Sequence, residues 1–325
     1  MTPAVSVITP AYNYGRFLPG AIESVLGQTL GELELIIIDD GSTDDTPAVV
    51  RRYGADRRLR YFRVERIGHV AAKNVGLRLA EAPLVAFLDA DDLWLPQKLE
   101  RQAALFRADP TLGVVYTRAL WVDETGQELE REQPRLHRGE VLDELFRHNF
   151  VCFSSAVVRA DVFHTVGLFD EGLPLAADFD LWLRAAMHYR FDYVDAPLVK
   201  YRTGHSSLSR RLEERLRTAQ RIMDRFLDHH GGRAIVDPAV VRRARAETFY
   251  HLGLVRRRRS ALAALPCFLR ALALRPGYWG AWKGLASLAL AEKARQWCRV
   301  ALGKPADWSV RRPVVREALT IPCQQ

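Results

Sequence analysis

Three carboxylates, Asp89, Asp91 and Asp92, fall within four residues of the stretch FLDADDLW (87–94), directly after an apolar run. Burying one carboxylate without a partner is unfavourable. Packing three adds mutual repulsion, about 4 kcal/mol per close pair at an effective dielectric of about 20. Such a cluster is either fully solvated or built to receive a cation. Hard carboxylate oxygens suit Mg²⁺ or Mn²⁺, which keep coordination positions for water and for the phosphates of a substrate. A second acidic pair, Asp39 and Asp40, ends another apolar run, LELIIIDD. A DxD triplet alone is equally well read as a solvated loop capping the next helix. Its place in the fold has to decide.

Those places follow from hydrophobic patterning. Residues 5–12, 33–40, 59–64, 84–90 and 113–123 read as strands, and 17–28, 42–54, 68–82 and 95–108 as helices. Strand and helix in alternation predict an α/β sheet covered on both faces. The near-continuous apolar strands suit central, largely parallel positions. Ligands of such sheets bind beyond the carboxyl ends of the strands. All five acids are therefore expected to face one crevice, which favours a metal–diphosphate site over a solvated loop. A further helix is expected over 139–149, and another over 176–187 is entered through acidic residues that suit the positive end of its dipole. From Ser206 onward the chain reads as helical, broken at Gly231–Gly232, Pro238, Pro266, Pro276–Gly277 and Pro305.

The chain has 325 residues and a net charge of +8, unevenly spread: residues 1–205 carry −7 and residues 206–325 carry +15. The division predicts a catalytic domain over 1–205 and a basic helical region over 206–325. Within the latter, Ala264, Phe268, Ala271 and Pro276 fit the second helix of a tetratricopeptide-like hairpin near 245–277, a unit that cannot bury its own face alone. No recognisable nucleic-acid motif accompanies the charge, so nucleic acid is not expected as a partner. The four cysteines form no CxxC pair, which argues against a disulfide framework or zinc site. No signal peptide or membrane-spanning run is evident, and a cytoplasmic location is expected.

Seven ordered segments carry a resemblance: VSVITPAYN, LELIIIDDGSTDDT, GHVAAKNVGL, LVAFLDADDLWLPQKLERQ, VGLFDE, ADFDLWLRA and VKYRTGHSSLS. Across residues 3–209 their order and spacing resemble glycosyltransferase family 2, inverting enzymes with the Rossmann-like GT-A fold. The resemblance implies a nucleotide-diphosphate-sugar donor and a carbohydrate or lipid-linked acceptor, as in polysaccharide or glycoconjugate synthesis. It implies that Pro10, Ala11 and Tyr12 wall the nucleoside pocket and that Asp40 holds the edge of the base. A carboxylate accepts the N3–H of uracil or thymine, which favours UDP- or dTDP-sugars. Asp91 matches the metal-contacting acid, with Asp89 near the metal or the ribose and Asp92 supporting them. Lys73 stands where the family usually has Arg, next to Asn74, and both fall at donor-binding positions. Asp178 matches the general base, although Ala177 replaces the Glu that usually precedes it. His205 matches a position near the diphosphate.

Two other readings remain open. Ala177 and Lys73 would also suit a non-catalytic sugar-nucleotide-binding module, and the basic tail would suit a helical scaffold. The tail joins RRRR at 256–259 to apolar runs, to Trp279, Trp282 and Trp297, and to a stripe at Leu290, Ala294, Trp297 and Ala301. That pairing suits the anionic face of a membrane, on which the protein is expected to lie peripherally.

Overall fold

The computed structural model describes residues 2–204 and 212–289. In chain order the sheet-bearing half runs β1 (Val5–Ala11), α1 (Leu18–Leu26), β2 (Leu33–Asp40), α2 (Thr46–Arg51), β3 (Leu59–Val64), α3 (His69–Leu79) and β4 (Leu84–Phe87). It continues with β5 (Leu93–Trp94), α4 (Lys98–Ala108), β6 (Leu112–Val122), α5 (Leu142–Arg147) and a 3-10 turn (Phe153–Ser155). Then come β7 (Val157–Arg159), α6 (Ala160–Val166), α7 (Ala177–Ala186) and β8 (Arg190–Arg202). Helices α8 (Leu212–His229), α9 (Gly232–Ile235), α10 (Pro238–Arg257) and α11 (Ala261–Leu274) follow, and residues 279–289 are helical too.

The eight strands make one sheet in the order β3-β2-β1-β4-β7-β6-β8-β5. Strands β3, β2, β1 and β4 are mutually parallel, as the apolar runs predict. The other half is mixed, because β7 runs antiparallel to both β4 and β6 while β8 runs parallel to β6. Strand β8 escapes sequence reading. Its alternation is broken near Pro197, where the pairing with β6 shifts register.

Both faces of the sheet are buried. On one face Ile8, Val85, Phe87, Val114 and Val158 pack against α5, α6 and α7; on the other, Val7, Leu35, Ala86 and Val115 pack against α1 and α4. Helix α3 lies close on β1, since a Cβ at Gly76 would come within 2.4 Å of Ile8. The expected division near residue 206 does not interrupt packing: Ile222, Met223 and Phe226 of α8 join the same core as Trp182 of α7. Beyond them the helices build smaller cores of their own around Phe268, whose ring is flanked by Gly253 of α10 and Gly284 of residues 279–289. The stripe expected at Leu290, Ala294, Trp297 and Ala301 lies outside the described residues.

Glu247 of α10 ties this region to the sheet-bearing half. It meets Arg147 (3.2 Å) and His148 (3.2 Å) at the end of α5 and Arg243 (3.0 Å) on its own helix. Burial alone would raise its pKa; the His148, Arg243 and Arg147 contacts outweigh that and bring it to about 2. A carboxylate depressed on folding stabilises fully above its unfolded pKa and loses that contribution as pH falls through the folded value. Glu247→Gln should therefore lower stability at neutral pH by about 1–3 kcal/mol. Urea unfolding should show that difference narrowing as pH drops from about 4.5 towards 2. A difference that does not change with pH would rule out the charged tie.

Candidate functional site

A cleft of about 870 Å³ opens at the carboxyl ends of β1, β2 and β4 and is closed on its far side by the start of α7 and the end of β8. Pro10, Ala11, Tyr12, Asp40, Lys73, Asp89, Asp91 and Asp178 all line it. Of the remaining expected site residues, Asn74 points elsewhere and His205 lies outside the described residues.

Strand geometry sorts the two acids that end β2, because successive side chains point to opposite faces. Asp40 faces the cleft; Asp39 does not, accepting hydrogen bonds instead from Ser42 N (2.8 Å) and the Tyr61 hydroxyl (2.5 Å). The expectation of five acids in one crevice is thus corrected to four. Asp40 accepts from the backbone N–H groups of Ile67 (2.6 Å) and Gly68 (3.0 Å), which orient its carboxylate. Gly68 holds φ at +95°, a left-handed turn that glycine adopts without strain. Arg66, in the same loop, stacks its guanidinium 3.2 Å from the centre of the Tyr12 ring and reaches Asp40 at 3.6 Å.

Past β4 the three acids divide their work. Asp92 turns inward, accepting from the Ser154 hydroxyl (2.6 Å) and from Arg202 N (2.8 Å). Ser154 also passes its carbonyl to the indole N–H of Trp94 (2.7 Å), so the 3-10 turn before β7 braces the whole DADDLW segment. Asp89 and Asp91 are left facing the cleft. Lys73 Nζ lies 3.9 Å from Asp89 and 3.7 Å from the centre of the Phe153 ring. Burial pushes the Asp89 carboxyl up to about 6; Lys73 lowers it, while Asp91 and Asp178 raise it further. Burial, then Asp91 and Asp89, hold Asp92 well above the usual carboxylate range.

Asp178 sits in the first turn of α7, only 6% exposed, and accepts a hydrogen bond from Asn149 Nδ2 (2.8 Å). Burial raises its pKa, although Asn149, Lys73 and Arg215 pull the other way. Ala176, two residues earlier, is in the left-handed region (φ 57°), which costs about 1 kcal/mol for a residue with a Cβ. Asn74 is a correction to the expected donor contacts. Its amide is spent on Phe169 O (2.9 Å), Glu171 (2.9 Å) and Phe169 N (3.1 Å), clamping the GLFDE turn.

The cleft also holds residues that sequence reasoning missed. His69 lies one helical turn before Lys73 on α3, a spacing that could have signalled it; burial, then Lys73, lowers its pKa to about 3, so it is neutral. Tyr14, Arg16, Arg66 and Arg202 reach the cleft from loops and strand ends that carry no local signature. Asn149 and Ser154 act through the acids and are invisible without the fold.

A divalent cation fits this donor set. Asp89 and Asp91 are hard oxygen donors whose repulsion it would offset, and no group of three such ligands converges among the described residues. Beside carboxylates of this kind Mg²⁺ keeps coordination positions for substrate oxygens and water.

Ser154→Ala removes one of the two donors that pin Asp92 in the buried interior, so the folded state should lose about 1–3 kcal/mol. Thermal unfolding of the purified variant measures it, and an unchanged midpoint would show that Ser154 braces nothing.

Residues 6–167 match the family model described as Glycosyl transferase family 2. An uncharacterised glycosyltransferase of Methanocaldococcus jannaschii is 29% identical over 62% of this chain and 71% of its own length. An uncharacterised glycosyltransferase of Rickettsia felis is 29% identical over 62% of this chain and 34% of its own length. Chondroitin synthase of Escherichia coli is 30% identical over 59% of this chain, and the match spans only 28% of that enzyme. The chain therefore spans about a third of some of its curated relatives and about seven-tenths of another. Among solved structures, S. aureus TarS 1–349 in complex with UDP-GlcNAc superposes with a TM-score of 0.58 at 18% identity, covering 90% of this chain and 92% of that one. A mannosyltransferase from Pyrobaculum calidifontis in complex with GDP-Man and Mn²⁺ superposes with a TM-score of 0.54 at 21% identity, covering 91% and 87%. At such identities the likeness is one of fold, and that fold is GT-A.

Proposed function

Because residues 6–167 belong to glycosyl transferase family 2, we propose that the cleft moves a sugar from a UDP- or dTDP-sugar to an acceptor hydroxyl with inversion at the anomeric carbon. In this reading residues 1–205 carry the chemistry, and residues 206–325 support it and place it. The observation that carries the proposal is the shared cleft. Asp178, buried and held by Asn149, faces the same space as Asp89 and Asp91, with the Tyr12–Asp40 pocket beside them.

The donor's base would lie against Tyr12, where it meets Arg66, and offer its N3–H to Asp40. The backbone donors on Asp40 keep it an acceptor, which is what uracil or thymine requires and cytosine cannot use. The likeness to proteins solved with UDP-GlcNAc and GDP-Man keeps a guanine donor, whose N1–H could serve the same acid, as the comparison arm of the test. Asp91 and Asp89 would hold Mg²⁺ or Mn²⁺, which supplies charge for the departing diphosphate. Lys73 adds a cation beside Asp89, and His205 is proposed for the same end of the donor.

Asp178 takes the proton of the acceptor hydroxyl as its oxygen attacks the anomeric carbon. The bond from that carbon to the diphosphate oxygen breaks on the opposite face, and the electron pair leaves with the diphosphate. A base must be unprotonated yet not too weak, and burial raises Asp178 towards that range while Asn149 keeps it oriented. The acceptor is proposed to be a carbohydrate or lipid-linked hydroxyl in polysaccharide or glycoconjugate synthesis. A basic tail resting on an anionic membrane surface belongs to the same reading, with the protein in the cytoplasm. No helix among the described residues is long and apolar enough to cross a membrane.

Two outcomes test this. Asp91→Asn should sharply weaken metal-dependent binding of UDP or dTDP, read by thermal shift with Mn²⁺ across a nucleotide panel that includes GDP. Affinity for all of them untouched by this substitution and by chelator would remove the metal site. Asp178→Asn should keep donor binding and lose about 10²–10⁴-fold in turnover. Asn149→Ala removes a contact that lowers the Asp178 pKa, so the acid limb of the pH–rate profile should move to higher pH. Near-normal turnover in the Asp178 variant would place the base elsewhere or favour a binding module.

A further inference from the structure

From Thr248 to Ala289 the chain carries seven Lys or Arg and no Asp or Glu. These residues form the end of α10, all of α11 and the helix over 279–289. One face of α11 is buried through Ala264, Cys267, Phe268, Ala271 and Leu272. The other is apolar as well. Leu262 is 81% exposed, Leu265 39% and Leu269 50%, at spacings of three and four that align them on one side of the helix. The next helix repeats the pattern with Trp279, 67% exposed, and Trp282, 49% exposed. Trp282 donates its indole N–H to Pro276 O (2.8 Å), which satisfies its polar atom and leaves the ring as apolar surface.

The basic residues around this face are unequally committed. Arg256 and Arg259 pair with Glu213, and Arg275 approaches Glu247. Arg258, Arg270 and Lys283 make no ion pair among the described residues. An exposed leucine stripe and two indoles rimmed by unpaired cations, with no acid for 42 residues, is the composition of a helical face that lies in a membrane interface.

We propose that the outer face of α11 and of residues 279–289 is a docking surface for an anionic lipid bilayer. Leu262, Leu265, Leu269, Trp279 and Trp282 enter the headgroup boundary, and Arg258, Arg270 and Lys283 meet lipid phosphates. Charge complementarity selects this occupant over a second copy of the chain, whose identical face would bring like cations together. The surface deepens the peripheral placement proposed above and rests on it. It assigns that placement to one face, where an overall basic charge would involve the whole tail.

The experiment uses the full chain with vesicles of phosphatidylcholine alone and of phosphatidylcholine with phosphatidylglycerol, sedimented at low and high salt. The protein should co-sediment with the anionic vesicles and should weaken but persist as salt screens the charges. Combined Leu262→Ala, Leu269→Ala, Trp279→Ala and Trp282→Ala changes should weaken that binding by at least about tenfold. Leu262→Ala with Trp279→Ala, at the two most exposed of these side chains, should also weaken binding and should keep the parent thermal midpoint, which separates lost docking from lost folding. Salt-sensitive binding unaffected by the four changes would keep the basic tail as the membrane contact and overturn this face. No binding by the parent chain to either vesicle would overturn both. Loss of a dimer in size exclusion on making the four changes would assign the face to a second copy instead.

Discussion

The acids that follow β4 repel one another in a cleft where water offsets only part of that repulsion, and much of the surrounding structure is arranged around the problem. Asp92, at the wall of the cleft, has its carboxylate held by a hydroxyl and a backbone amide. Lys73 approaches Asp89 from α3, where the close packing of Gly76 on Ile8 fixes the helix against the sheet. Asp89 and Asp91 remain among the residues that line the cleft.

The same crowding bears on the other end of the cleft. Burial raises the pKa of both Asp89 and Asp178, and Asp178 adds to the cost of ionising Asp89. Their supports differ. Asp89 has a lysine, whereas Asp178 has a neutral amide from Asn149, which orients a carboxylate without pairing its charge. Lys73 acts on both carboxylates through space, and Arg215 on Asp178 as well.

How much of this was legible depended on whether a residue's role is local. The parallel half of the sheet was readable because β1, β2 and β4 are buried on both faces and so run as near-continuous apolar stretches. Strand β8 was not, since it alternates, bulges at Pro197 and finds its partners β5 and β6 far away in sequence. Motif positions placed Asp40, Asp89, Asp91 and Asp178 in one cleft correctly. Motif position alone misjudged Asn74, whose neighbour Lys73 faces the cleft while Asn74 itself turns to the GLFDE turn. Asp39 shows the same limit, because the two-residue period of a strand sends adjacent acids to opposite faces. Ser154 and Asn149 act across 62 and 29 residues of sequence, and nothing local announces them.

The few acids of the helical region explain how so basic a segment folds and still presents charge outward. Glu213 accepts Arg217, Arg256 and Arg259, and Glu247 accepts Arg147, His148 and Arg243. Each carboxylate thus gathers several cations where helices meet each other or the catalytic half, so the attraction is concentrated at joints. Exposed pairs of this kind add little stability singly, but networks around a half-buried acid hold relative geometry. With Glu213 and Glu247 committed at those joints, Arg258, Arg270 and Lys283 beside the exposed leucines and tryptophans have no ion-pair partner among the described residues. An arrangement that merely kept the helices soluble would intersperse both signs over that surface. Here one sign and one apolar stripe share it, on the far side of α11 from the Phe268 core that joins it to α10.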